Sequence, residues 1–323
     1  MVAEGMCVRP LWKDILAAVW LGMVLPGIVL HAFVWKEKQQ ETQRMPMQPV
    51  QQIRKTSKTI RVYDPDGTNF LMNLDDYLVC VLLAEMPATF HEEALKAQAV
   101  AARTYAWKAY TQGTKHPNGG VCTDSACCQA FLPETEYISR GGDEHAPESI
   151  RKAVQATGDM VLFYAGDLIE ATYFSSTGGK TESALAVWGA DYPYLQTVNS
   201  PEEGKETVAT FSAEEFQRRI GRALPGNPME WFGSARYTEG DGVASIEICG
   251  EEYTGTALRT LLGLHSTDFE VRTDEKGITI RCHGYGHRVG MSQYGANAMA
   301  EAGSTWQMIL QHYYPGTVLC PLS

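Results

Sequence analysis

Between Cys282 and Asn297 the sequence reads CHGYGHRVGMSQYGAN, which places two His, four Gly, two Tyr, an Arg, a Ser and a Gln within 16 residues. Gly284, Gly286 and Gly290 let a backbone approach a ligand closely or turn with positive φ. His283, His287, Gln293 and Tyr294 supply donors and acceptors suited to a hydroxyl-rich or amide-bearing ligand. A glycine-rich turn between strand and helix is the plainer reading, but a turn does not call for so many different polar side chains.

A second chemical candidate is Glu85 in VCVLLAEMPATF, where Val81, Leu82, Leu83, Met86 and Phe90 surround it in sequence with apolar groups. Such surroundings raise a carboxyl's pKa and suit it to protonate a glycosidic oxygen. A helix-terminal glutamate paired with Lys96 or Arg103 accounts for the same spacing. A third is His116-x5-Cys122-x4-Cys127-Cys128, four nitrogen and sulfur donors in a loop with Pro117, Gly119 and Gly120. Zinc takes four such ligands. The spacing is not that of a common zinc finger, and a Cys122–Cys128 disulfide competes with it.

These residues need elements to hold them. The sequence predicts a hairpin of strands 59–63 and 69–72 around an Asp-Pro-Asp-Gly turn, then a helix over 74–83 capped by Asn73. A second helix, 92–110, stops at Gly113 and presents Leu95, Ala99, Ala102 and Ala106 on one small-residue face. A third helix spans 148–156. Strands follow at 160–164, 168–174, 243–249, 269–273 and 278–282. Ser212 and Glu215 form a capping box for a helix to about 220, and helices 292–302 and 306–313 close the chain, the last opened by Ser304 and Gln307. The class is α+β, mixed helices and antiparallel strands in one domain, without regular βαβ alternation. Residues 201–236 read as a candidate small lobe or insertion.

The chain has 323 residues and a net charge of −11, without the clustered Lys and Arg that nucleic-acid binding requires. Residues 15–35, ILAAVWLGMVLPGIVLHAFVW, are uncharged over the ~20 residues needed to cross a bilayer and follow a short N-terminal segment, 1–14. Trp20 and Trp35 within the run and Lys13 and Lys36 flanking it favour a span, so it reads as an uncleaved signal anchor. Residues 36–57 are Gln-rich and aperiodic, a flexible tether for a domain over 58–323. Arg9 and Lys13 face Lys36, Lys38 and Arg44 across the span, so charge alone leaves the orientation open.

Three separated blocks, AEMPATFHEEALKAQAVAARTY (84–105), YFSSTGG (173–179) and the 282–297 segment, closely resemble in sequence and order the stage II sporulation protein D (SpoIID) and LytB family. The resemblance covers most of residues 77–316. It implies a lytic transglycosylase that cleaves the β-1,4 bond between N-acetylmuramic acid and N-acetylglucosamine in peptide-free peptidoglycan strands, with Glu85 as acid and then base. Groups then expected to bind the strand are Gln98, Arg103, Tyr173, Ser175, Ser176, Thr177, His283, Gly286, His287, Gln293 and Tyr294. The resemblance also implies one zinc, structural in role, on His116, Cys122 and Cys128 with Cys127 in the fourth position. It further implies a domain outside the cytoplasm, in the space around a forming endospore, and as partners the peptidoglycan amidase SpoIIP and the membrane protein SpoIIM. Two other functions compete: a noncatalytic glycan binder that stimulates an amidase, and a hydrolase using a second carboxylate, for which Asp75, Asp76, Glu92 and Glu182 are loosely placed candidates.

Overall fold

The computed structural model describes residues 58–322 apart from Pro117 and Lys276. The anchor over 15–35 and the tether over 36–57 lie outside the described residues. Among those described, no helix is long and apolar enough to cross a membrane.

Strands β1 (Thr59–Tyr63) and β2 (Asn69–Asn73) form the expected hairpin, Thr59 opposite Asn73. Its turn is held by the Asp66 carboxylate, which accepts from the Thr68 N–H at 2.9 Å and the Thr68 hydroxyl at 2.7 Å. Asn73 Oδ1 then accepts from the N–H groups of Asp75 and Asp76 at 2.9 and 3.4 Å, opening helix α1 (Leu74–Glu85). The helix runs two residues past the expected Leu83 because extended backbone is imposed only at Met86, the residue before Pro87. Glu85 is thereby its last residue.

Helix α2 (Glu92–Gln112) ends at Gly113, which is left-handed at φ 63°. The expectation of one buried face is corrected here, because every residue from Ala94 to Ala106 except Lys96 is buried. Ala94, Leu95, Ala97, Val100 and Ala101 join one apolar cluster while Ala99, Ala102, Ala106 and Ala109 join another. Alanines on every side let neighbouring elements approach the axis closely, so α2 is the spine of the domain.

After α2 come β3 (Val121–Cys122), parallel to β1, the unanticipated α3 (Glu134–Ser139), and α4 (Ala146–Ala156), with Pro147 in its first turn. Arg103 of α2 is wholly buried and donates to Thr157 Oγ1 at 3.0 Å, Met160 O at 3.2 Å and Val154 O at 3.1 Å. It therefore ties α2 to the end of α4. Arg103→Ala would leave two carbonyls and a hydroxyl without that donor, and we expect a loss of roughly 3 kcal/mol in denaturant unfolding, with Arg103→Lys recovering only part.

The expected strand 168–174 is two strands in two sheets. Following β4 (Met160–Tyr164), β5 (Asp167–Leu168) pairs with β4, and β6 (Tyr173–Phe174) departs to another partner. A tight turn in which the Thr172 N–H donates to Glu170 O at 2.9 Å separates them. Helix α5 (Ala184–Trp188) is next.

Strand β7 (Glu206–Ser212), helix α6 (Ala213–Ile220), β8 (Phe232–Tyr237), β9 (Val243–Ile248), β10 (Glu251–Thr254), helix α7 (Gly255–Leu262), β11 (Phe269–Asp274) and β12 (Gly277–His283) surround a third apolar cluster. The sheets run β10-β9-β8 and β11-β12-β7, all antiparallel. Residues 201–236 supply β7, α6 and β8 to this cluster. The Ser212 hydroxyl caps α6 as expected, accepting from the Glu215 N–H at 3.2 Å.

Strand β13 (Met291–Ser292) pairs in parallel with β6 and leads directly into α8 (Gln293–Glu301). Helix α9 (Trp306–Tyr313) is capped by Thr305, whose Oγ1 accepts from the Met308 N–H at 3.4 Å, rather than by Ser304. An unanticipated strand, β14 (Val318–Pro321), closes the chain against β4. Mixed helices and mainly antiparallel strands are thus the class of the described region.

Candidate active site

The end of α1, the loop after β3, strand β6 and the start of α8 converge on a cleft of about 820 Å³. Its walls include Glu85, Gln129, Ala130, Tyr173, Ser175, Gly286, His287 and Gln293, with the aromatic rings of Tyr105, Trp188, Tyr192 and Tyr285 around them. Such a volume, lined by rings and a few convergent polar groups, suits a small molecule or a length of glycan.

Glu85 presents its carboxyl to this cleft. Its Oε1 accepts from the Ala130 N–H at 2.9 Å and its Oε2 from Gln293 Nε2 at 3.4 Å. Burial holds its pKa above the ordinary glutamate value, and hydrogen bonds from Ala130, Gln293 and Tyr173 offset only part of that effect. The carboxyl thus remains a proton donor to higher pH than an exposed one. Tyr173 is fixed in turn, its hydroxyl accepting from Gln129 Nε2 at 2.8 Å. The hydrolase candidates lie elsewhere: Asp75 approaches buried Arg103 at 3.9 Å, Glu92 pairs with Lys96 at 2.7 Å, Glu182 is buried beside Arg288, and Asp76 pairs with Arg151 at 2.5 Å. None lines the cleft. The other carboxylate in its wall, Glu170, is bound to Lys108 at 2.8 Å.

His287 packs against Phe174 and Trp188, ring centroids 5.7 and 5.3 Å away. Its Nδ1 accepts from the Val289 N–H at 3.1 Å, so the neutral ring carries its proton on Nε2. Burial, with the nearby Arg259 charge, lowers its pKa to about 4. Because the folded value lies below the unfolded value of about 6.5, the unfolded chain binds the extra proton, and stability must fall as pH drops from about 6.5 towards 4. His287→Phe should flatten this part of the stability profile, as thermal melts across pH 4 to 7 would read.

The remaining expected residues divide. Ser176 and Thr177 are fully buried, and Thr177 binds through its backbone: its N–H donates to Glu202 Oε1 at 2.7 Å, an atom that also accepts from the Ser292 hydroxyl at 2.6 Å. Glu202 thereby clamps the 173–179 block to the 282–297 block. Tyr294 lies behind the wall, edge-on to Phe90 at 4.9 Å and beneath Lys205 Nζ at 3.8 Å. His283 sits by Glu206, Nδ1 to Oε1 3.4 Å, and Gln98 is fully buried in α2. Gln98, Arg103, Ser176, Thr177, His283 and Tyr294 therefore do not line the cleft and serve the frame around it. Gly286 does line it: at φ 119°, a side chain there would meet Phe174 at 2.8 Å.

The four expected metal ligands come together. His116 Nε2 is 3.6 Å from Cys128 Sγ and 3.9 Å from Cys127 Sγ, the two sulfurs are 3.9 Å apart, and all four donor atoms including Cys122 Sγ lie within 4.8 Å. A zinc tetrahedron with bonds near 2.0 to 2.3 Å has edges of about 3.3 to 3.8 Å, so the donor set fits. Adjacent cysteines share the cluster because the chain turns on Asp124, whose carbonyl accepts from both Cys127 and Cys128 N–H at 3.1 and 2.8 Å. Tyr63 stacks on the His116 ring at 4.8 Å. All seven described cysteines are free thiols. Burial pushes the Cys128 thiol up to about 12, and a dication is the usual way to reverse that penalty for crowded thiolates. Cys127 and Cys128 also border the cleft, and Gln129 and Ala130, which follow directly, hold Tyr173 and Glu85.

Comparison with known proteins agrees with this arrangement. A family model described as "Stage II sporulation protein" matches residues 69–164, the segment from β2 to the end of β4, which includes Glu85 and the His/Cys loop. The stage II sporulation protein D of Bacillus subtilis (strain 168) is 38% identical over 252 residues, covering 76% of this chain and 73% of its own. That of Bacillus amyloliquefaciens is 39% identical over 251 residues, 75% of this chain and 73% of its own. An amidase enhancer of Bacillus subtilis (strain 168) is 32% identical over 300 residues, 74% of this chain but 39% of its own. At such identity over three quarters of both chains, with acid, cleft and thiol cluster in one compact unit, this chain belongs to the stage II sporulation protein D family.

Proposed function

We propose that this protein acts on peptidoglycan during sporulation, as a lytic transglycosylase that cleaves the N-acetylmuramic acid to N-acetylglucosamine β-1,4 bond of peptide-free strands. The observation that carries the reading is one half-buried carboxyl, Glu85, held by the Ala130 N–H and Gln293 in a cleft whose other carboxylate is neutralised by Lys108, with burial raising the Glu85 pKa. Hydrolysis by paired carboxyl groups needs two free ones. Lytic cleavage needs only one. Glu85 gives its proton to the leaving O4 as the C1–O4 bond breaks. The resulting carboxylate then takes the proton of the muramic C6 hydroxyl, whose oxygen bonds to C1 and closes a 1,6-anhydro ring. No water is consumed. The Ala130 N–H and Gln293 amide hold the carboxyl in place and stabilise its charged form between the two steps, and the cleft rings exclude water from the reacting sugar.

A zinc ion on His116, Cys122, Cys127 and Cys128 would leave no open position for substrate, so its contribution would be to fold the loop that presents Gln129 and Ala130. The domain would work outside the cytoplasm, tethered through residues 15–35, with the amidase SpoIIP and the membrane protein SpoIIM as partners. Mass spectrometry of products from peptide-free strands tests the central claim. The expected products carry 1,6-anhydromuramic ends; reducing ends would make the protein a hydrolase and point to Glu170. A second reading, glycan binding that stimulates an amidase, is favoured by the amidase enhancer among the relatives and would be indicated by intact strands that remain bound.

A further inference from the structure

Arg259 differs from the other buried arginines of this protein. Arg103 and Arg288 are wholly enclosed, and each donates to backbone carbonyls with a carboxylate nearby. Arg259 reaches the cleft wall from α7, beside Tyr285, Gly286 and His287. Its Nε is buried without a hydrogen-bond partner, as are those of Arg103, Arg222 and Arg288, but those three each stand beside a carboxylate, whereas among the described residues Arg259 has no carboxylate within ion-pair distance and only Tyr285 and Cys282 favour its charge. A guanidinium left half-buried with unused donors is unfavourable unless an anion arrives to fill them. Its planar fork matches a carboxylate, which it binds through two parallel N–H donors.

The proposed substrate supplies one such group. Muramic acid bears a lactyl ether on O3. When a peptide is attached, the lactyl carbonyl is an uncharged amide; when none is attached, it is a carboxylate. N-acetylglucosamine has only a hydroxyl at that position. Arg259 stands along the same wall as the acid: it borders His287, which packs on Phe174, and Phe174 adjoins Tyr173, whose hydroxyl bears on Glu85. The neighbouring ring of Tyr285, 47% exposed and stacked on His265 at 4.5 Å, offers a flat face for the sugar itself.

We propose that Arg259 is the specificity residue of the cleft and binds the free lactyl carboxylate of a muramic residue, thereby selecting peptide-free strands over peptide-bearing ones and over chitin-like glycans. The proposal rests on the glycan reading given above. The test is calorimetric binding to the full chain carrying Glu85→Gln, so that nothing is cleaved. Three tetrasaccharides are compared: a peptide-free muramic strand, the same strand with its lactyl carboxyl blocked as the methylamide, and chitotetraose.

The free carboxylate should bind about tenfold more tightly than either of the others, the range of one charge-assisted contact. Adding Arg259→Gln should remove that advantage and leave chitotetraose binding within about twofold, whereas Arg259→Lys should keep part of it through charge alone. Equal binding of the carboxylate and its methylamide by the protein with Arg259 intact would overturn the proposal, however the variants fold. So would a preference that survives Arg259→Gln. If all three sugars bind alike, the glycan reading stands and only the role of Arg259 falls; if none binds, both fall.

Discussion

Glu85→Gln is expected to lower strand cleavage by about a thousandfold or more, the span of a positioned general acid, while leaving the protein at least as stable as before at neutral pH. The two halves come from one cause. Burial raises the folded pKa of Glu85 above its unfolded value, so between the two values the folded state holds a proton that the unfolded state has released. Stability associated with this group is therefore full below the unfolded value, about 4.3, and is lost as pH rises through the folded one. Once ionised, the partly buried carboxyl is a liability that glutamine removes, since its amide keeps the shape and can still accept the Ala130 N–H at the position of Oε1. Thermal melts of the variant should match those of the wild type near pH 4 and equal or exceed them near pH 8. A variant that cleaves normally would remove Glu85 from the mechanism; one that loses activity together with stability at neutral pH would make it a structural glutamate.

What the sequence made legible was local. Asn73 before Leu74, Gly113 after α2 and Ser212 before Glu215 each act on backbone groups within a few residues, and all three stand where their chemistry predicts. Glu85 could be singled out only through the family motif, because its apolar sequence neighbours fitted a helix-terminal ion pair equally well. The His116 and cysteine cluster was similarly compact, closing a loop of about a dozen residues.

The groups that complete the site carried no such signal. Ala130 contributes a backbone N–H, which any residue but proline would supply, and Gln129 matters only because Tyr173 is folded against it. Arg259 and Trp188 reach the cleft from elements far apart in the chain. Arg103 and Thr177 fall within the recognisable blocks, yet the structure uses them to bind α4 and Glu202. Residue type and motif membership do not separate a side chain that meets substrate from one that holds the frame. The strand expected over 168–174 failed for a related reason: Leu168 and Tyr173 lie in one short, largely apolar stretch but serve different sheets, and only long-range pairing with β4 and β13 divides them.

Removing the zinc proposed for the thiol cluster is expected to reduce cleavage about ten- to a hundredfold, the range seen when groups that orient a functional residue are lost, and to lower the melting temperature by several degrees. The route is covalent and short. Cys128 is followed by Gln129, which holds Tyr173, and by Ala130, whose N–H binds Glu85 Oε1 at 2.9 Å. That bond lowers the Glu85 pKa, opposing the effect of burial. A loosened loop should therefore let the pKa rise further, moving the Glu85 limb of the pH–rate profile to higher pH while the maximum rate falls. Cys128→Ser and treatment with a chelator should give the same displaced limb, and zinc should restore the chelated protein but not the variant. Reductant alone should change nothing if the thiols hold a metal, and should mimic the chelator if they form a disulfide. A lower melting temperature with the limb unmoved would confine the cluster to stability, with no part in setting the acid.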